Sequence, residues 1–204
     1  MLAQLIQELE QDYQGWLEQD VCLLMGSVSW QYYDRLLNKL QDNASLRLVY
    51  LDGVLEIVSP SRRHEGIKKR IATLLEVYFE ETDTEYFPLG STTFRSEEQR
   101  GGSEPDESYC IGTDKAIPDL VIEVVLTSGG VDKLTVYQRL EIPEVWFWQN
   151  EQLAVYCLRG EQYEQSDRSL LLARLDLEVL TTYINHPQPL AAVKEFRQSL
   201  RENL

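Results

Sequence analysis

The chain has 204 residues, a 43% hydrophobic composition with eleven Tyr and four Trp, and a formal charge of −15. Length and composition suit one folded domain with extensions and exclude a disordered chain. The acidity excludes a protein that coats nucleic acid nonspecifically, since phosphate contacts dominate such binding, but not an enzyme that binds nucleic acid locally.

Residues 1–27 read as a helical extension and a lead-in strand. Leu2, Leu5, Ile6, Leu9, Tyr13 and Trp16 recur at helical spacing, and "VCLLMG" follows. The start has no basic region ahead of an apolar core, and no apolar stretch approaches the ~20 residues of a membrane span, so a cytoplasmic protein is expected. Cys22, Cys110 and Cys157 are widely spaced and odd in number. That pattern predicts reduced thiols and neither a disulfide framework nor a zinc site.

"SVSWQYYDRLLNKL" predicts a helix capped by Ser29. "LRLVYLDGVLEIVS" holds two alternating runs around Asp52-Gly53, a strong hairpin signal, and puts Glu56 on the second strand. The next helix carries Ile67, Ile71, Leu74, Leu75 and Tyr78 on one apolar stripe, with His64 on the same face at its start. Arg62, Arg63, Lys68, Lys69 and Arg70 form the densest basic cluster. They are either a phosphate contact or a solvated helix face.

"EYFPLGSTTFRS" reads as extended, residues 95–107 as the most flexible segment, and "PDESYCIG" as a short strand. "AIPDLVIEVVL" is the central strand. A helix opens after Gly129-Gly130, and "PEVWFW", "LAVYCLRG" and "EQYEQ" follow as strands. The tail repeats Leu190, Val193, Phe196, Leu200 and Leu204 at helical spacing. Interleaved strands and helices give a mixed α/β or α+β class.

The central strand poses a chemical problem, because it carries Asp119 and Glu123 within an apolar run. Both side chains share one face. Four residues of strand span ~13 Å, too far for both to reach one Mg²⁺ ion with ligands at ~2.1 Å. Glu123 therefore needs an acid from a neighbouring strand, and Asp106 on "PDESYCIG" can supply it. The alternative is an ion pair with Lys133 or an arginine, since a buried Glu without a partner is costly. Asp119, after Pro118, reads as a turn or cap residue.

"DGVLEIVSPSRRHE", Pro105-Asp106, "PDLVIEVV" and "KLTVYQRLEIPEVWFW" stand in this order. The order resembles the Uma-two family of restriction-endonuclease-like proteins, within the PD-(D/E)XK nuclease superfamily. The resemblance runs from about residue 28 to 180, which sets a nuclease-like domain at 28–180 and a C-terminal helical extension at 181–204. It implies a mixed sheet flanked by helices. Asp106, Glu123 and the Val124 carbonyl are implied to hold Mg²⁺, with Mn²⁺ also suited to the oxygen ligands. The superfamily lysine two residues after the Glu is replaced here by Val125. The resemblance moves that role to Lys133.

Glu56 is implied as a further ligand or water-orienting base. His64 matches the family's helix-start histidine, with contact to phosphate or to a metal-bound water, or packing in the core, all open. The implied function is Mg²⁺-dependent hydrolysis of DNA. A homodimer is compatible with it, because a duplex has two strands to cut. The alternative is a non-catalytic binding or regulatory protein on a nuclease-like scaffold.

Overall fold

In the computed structural model, residues 18–40, 45–127 and 129–203 are described. The helix expected over residues 2–16 lies outside them. The elements are β1 (Val21–Met25), α1 (Trp30–Leu40), β2 (Arg47–Leu51), β3 (Val54–Ser59), α2 (Arg62–Glu81), β4 (Tyr86–Pro88), β5 (Phe94–Ser96), β6 (Gly101–Ser103), β7 (Glu107–Ile111), β8 (Leu120–Val125), α3 (Lys133–Arg139), β9 (Glu144–Gln149), β10 (Gln152–Arg159), β11 (Gln162–Ser166), α4 (Leu177–Ile184) and α5 (Pro189–Asn203). They form a mixed α+β fold with two sheets. One has the order β1-β3-β2-β6-β5, the other β11-β10-β9-β8-β7-β4. The only parallel pair among the described strands is β8 with β9, joined through α3.

The local signals act as expected. The Ser29 hydroxyl accepts the Tyr32 N–H at the start of α1. Asp52 and Gly53 both have positive φ (47° and 89°) and close the β2–β3 hairpin, the geometry that favours a two-residue turn. On α2, Ile71, Leu74, Leu75 and Tyr78 are buried, and Ile67 packs beside them. They face Leu120, Ile122 and Val124 of β8 and Trp146 and Trp148 of β9. The opposite face of β8 is covered too: Val121 joins Val136, Tyr137 and Leu140 of the α3 region in a second core. A strand buried on both faces is apolar at nearly every position, which accounts for "LVIEVV". Glu123 shares its face with Val121, and so points toward α3.

Residues 95–107 are not a loose segment. Gly101, Gly102 and Ser103 are buried and pair with both β2 and β5. The glycines are a packing device: a Cβ on Gly102 would lie 2.5 Å from the buried Tyr33 hydroxyl and 3.0 Å from the Arg95 Cβ. We expect Gly102→Ala to destabilise the protein by about 1–3 kcal/mol through overpacking, read as a lower urea midpoint at unchanged slope. Unaltered stability would mean that the α1–β6 contact is looser than described.

The sequence reading contains no α4, although Asp176 caps it through the Glu178 and Val179 N–H groups. This helix runs across residue 180. Its Leu180 and Ile184 share the main core with Phe196 and Leu200 of α5. All three cysteines are free. Among the described residues, no helix is long and apolar enough to cross a membrane.

Candidate active site

The β7–β8 ladder pairs Glu107 with Ile122 and Ser108 with Val121. Continued by one step, this antiparallel register sets Asp106 opposite Glu123. Asp106 and Glu123 are 3% and 0% exposed. Asp106 lines a cleft of about 290 Å³ together with Asp20, Glu56, His64, Val124 and Lys133, and Glu123 meets that lining through its contact with Lys133. Asp119 stands at the other end of β8. It accepts the Ile111 N–H (2.7 Å) and pairs with Lys115 (2.7 Å), a turn anchor remote from this cluster in the strand register.

Each acid has protein partners. Asp106 Oδ2 accepts the Val124 N–H at 2.7 Å, and Oδ1 lies 2.8 Å from His64 Nε2. That second contact is an ion pair without an aligned hydrogen bond, since among the described residues His64 Nε2 has no well-directed acceptor. Glu123 Oε2 accepts from Lys133 Nζ at 2.6 Å, and Oε1 accepts from the Tyr137 hydroxyl. Lys133 and Tyr137 are four residues apart on α3 and therefore share one helix face. Ser103 supports Tyr137 from β6 (Oγ to hydroxyl, 2.9 Å).

Glu56 has a different setting from the other two acids. Its Oε2 accepts the Gly130 N–H (2.5 Å) and the Val131 N–H (3.0 Å). A Cβ on Gly129 would lie 2.5 Å from Glu56 Oε1, so the glycine admits this approach. Glu56 thus fastens the loop that delivers Lys133.

His64 is held from both sides. Its Nδ1–H donates to Asp20 Oδ2 at 2.8 Å, while Asp20 Oδ1 accepts the Ser61 N–H at 2.8 Å. Asp20 and Tyr137 are site residues that sequence reasoning did not single out. Tyr137 had a signal in its spacing from Lys133. Asp20, a lone acid ahead of an apolar run, had none.

The electrostatics follow from burial and these contacts. Burial by itself would lower the His64 pKa, but the Asp106 and Asp20 carboxylates outweigh it and raise it from 6.5 to about 9. Burial works to raise Asp106, yet the His64 ring, then Lys133 and the Val124 N–H, hold it below its ordinary value. Glu123 is raised, because burial and the Asp106 charge together exceed the help from Lys133 and Tyr137. Lys133 is raised: its burial is more than offset by Glu123 and Asp106.

These directions set a pH window. The raised His64 contributes stability that is fully present below 6.5 and is lost as pH rises through about 9. Asp20 and Asp106, both depressed, contribute stability present above 3.8 that is lost as pH falls through their lower folded values. We expect urea stability to decline from below pH 6.5 to above pH 9, and His64→Gln to flatten that decline. An equal decline in both proteins would assign it to other groups.

The basic cluster of α2 does not form one face. His64 and Lys68 are buried, and Lys68 lies 3.7 Å from Glu65. Arg70 donates to the Ile184 and His186 carbonyls. Arg62, Arg63 and Lys69 are exposed, with Arg63 3.8 Å from Glu18.

Among the described residues, no three His, Cys, Asp or Glu side chains converge as a metal-ligand group. Mg²⁺ usually takes one or two carboxylates and keeps several waters, so two buried carboxylates at opposed strand positions, one of them lining the cleft, are a fitting donor set. The unaligned His64 contact leaves Asp106 Oδ1 the less committed of that carboxylate's oxygens.

No curated protein matches the chain. A family model for Uma2, the Uma-two family, described as "Putative restriction endonuclease", matches residues 30–184. That span holds Glu56, His64, Asp106, Glu123, Lys133 and Tyr137, and the chain belongs to this family.

Proposed function

We propose that this protein is a Mg²⁺-dependent endonuclease that hydrolyses DNA phosphodiester bonds. The observation that carries the reading is the trio of two buried acids, Asp106 and Glu123, and the half-buried Lys133 that pairs with Glu123, brought together from the residue ahead of β7, from β8 and from α3, with Asp106 and Lys133 lining the cleft. Asp106 and Glu123 would hold the ion, with the Val124 carbonyl as a main-chain ligand. When bound, the ion supplies polarisation of a phosphoryl oxygen and a water of lowered pKa; Mn²⁺ would serve the same oxygens.

The chain's own groups supply the rest. Lys133 is kept charged by its two acidic neighbours and can stabilise negative charge developing at phosphorus. Tyr137 orients Glu123, and Glu56 secures the turn before Lys133. His64 fixes the face of Asp106 away from Val124. A homodimer would offer one site to each strand of a duplex, and sedimentation at working concentrations tests it.

A second reading has an observation of its own. Both acids already have protein partners, and the cleft lining carries Asp20, Glu56, Glu104, Asp106 and Asp132 against Arg47, Lys133 and the His64 ring. Such a site suits a non-catalytic binding or regulatory protein on the nuclease-like scaffold. Titration calorimetry with Mg²⁺ and Mn²⁺, followed by cleavage assays on single- and double-stranded DNA, separates the two. Metal binding with metal-dependent cleavage is the expected result. A protein that binds neither ion and cuts no DNA would leave the second reading in possession.

A further inference from the structure

We propose that Asp20 is a positioning residue of the site: supplied from outside the family-matched segment, it holds the His64 ring with Nε2 toward Asp106 and through that ring fixes the Asp106 carboxylate. Residue 20 precedes the matched span 30–184. Its side chain is nevertheless built into the site. Asp20 is 9% exposed, and a carboxylate so placed needs donors. It finds them in the Ser61 N–H and the His64 ring, each at 2.8 Å.

A carboxylate can only accept, so this contact requires a proton on Nδ1, and the ring is the doubly protonated cation when it also pairs with Asp106. The opposite nitrogen then lies 2.8 Å from Asp106 Oδ1. Asp106 Oδ2 in turn takes the Val124 N–H. An unbroken line of contacts thus runs from residue 20, through the imidazole, to the strand that carries Glu123. Both ring nitrogens are engaged by carboxylates, so the ring cannot turn without breaking a contact at one end.

The competing role is helix capping alone, because Asp20 also holds the first backbone N–H ahead of α2. Asp20→Asn separates the two. The amide oxygen can keep the Ser61 N–H, but its NH₂ then faces the His64 Nδ1–H and cannot accept it. Ser61→Ala is the complementary control. It removes the hydroxyl that accepts the His64 backbone N–H at 3.1 Å and that also touches Asp20, while the Ser61 N–H and the His64 ring still hold that carboxylate.

The readouts need neither metal nor activity. The chain has two histidines, so His186→Gln assigns the His64 ring signals in ¹⁵N-resolved spectra. The Val124 amide reports directly on Asp106. Asp20→Asn is expected to abolish the hydrogen-bonded Nδ1 proton signal of His64. It should also speed Val124 amide exchange about tenfold, the equivalent of losing a charge-assisted hydrogen bond. Ser61→Ala is expected to lower the melting temperature while leaving both signals intact.

A His64 ring and Val124 amide unchanged in Asp20→Asn would overturn the proposal, as would Ser61→Ala reproducing the Asp20→Asn pattern. Should Asp20→Asn not fold, the native protein still decides: absence of a slowly exchanging Nδ1 proton on His64 overturns it. One further arm rests on the metal reading given above. Mn²⁺ affinity should fall about tenfold in Asp20→Asn, the lower end for an outer-shell partner. If native protein binds no Mn²⁺, the metal reading fails, while the ring and amide signals still decide the role of Asp20.

Discussion

Lys133→Met is expected to cut DNA hydrolysis by about two to three orders of magnitude and to destabilise the fold by about 3–5 kcal/mol. From sequence alone Lys133 is the lysine to which the resemblance moves the catalytic role, read as an exposed side chain whose loss hardly moves the melting temperature. The structure corrects that expectation. Its ammonium lies 2.6 Å from Glu123, which is fully buried, so the substitution leaves a carboxylate without its cation in the core. Glu123, already raised in pKa by burial, can relieve part of the penalty by taking a proton, so the destabilisation should shrink as pH is lowered.

Stability and chemistry can be separated by a double-mutant cycle. Glu123→Gln alone strands the Lys133 charge. Lys133→Met with Glu123→Gln removes both charges, while the amide oxygen introduced at position 123 keeps the Tyr137 hydroxyl. Replacing a whole buried pair is often close to neutral. The double variant should therefore regain most of the stability and none of the cleavage. Urea titration and single-turnover cleavage read the two quantities. A single variant of native stability would show that the pair is not formed in solution, and a double variant of native activity would remove both residues from the chemistry.

Asp106→Asn is expected to weaken Mn²⁺ binding at least a hundredfold and to abolish detectable cleavage. The variant keeps an oxygen for the Val124 N–H but loses the charge that faces His64 and a metal alike. It also predicts a change unconnected with activity. Asp106 is first among the partners that raise His64 against its burial, so the loss of stability between pH 6.5 and about 9 should become smaller in the variant. Calorimetric metal titration and denaturation at several pH values test the two halves independently. Native-like metal affinity would place the ion elsewhere, whereas an unchanged pH profile would refute the His64–Asp106 contact.

Much of this site could be read from one dimension. The alternation of side chains along a strand and the rise per residue are local properties, so they suffice to reject Asp119 as a partner for Glu123 and to require an acid from the neighbouring strand. The Asp52-Gly53 turn, the stripe of α2 and the inward position of His64 follow from periodicities of two and 3.6 residues. What periodicity does not contain is the partner of a side chain across distant segments. Nothing near residue 20 announces that its carboxylate meets a ring 44 positions on.

The basic run on α2 has one composition but three environments, because helix rotation sends Lys68 inward, Arg70 to carbonyls at and just past the end of α4, and Arg62, Arg63 and Lys69 to solvent. Residues 95–107 look mobile by charge and glycine content, yet Gly102 is set against Tyr33, 69 positions earlier, by a close approach that only packing reveals. Sequence determined most of the strands and helices and the candidate acids, since hydrophobic patterning is written along the chain, but not α4 or the buried glycine strand β6, which pattern alone does not mark. Tertiary structure alone decided which charges meet, because an ion pair is settled by distances of a few ångströms between elements that the chain order leaves far apart.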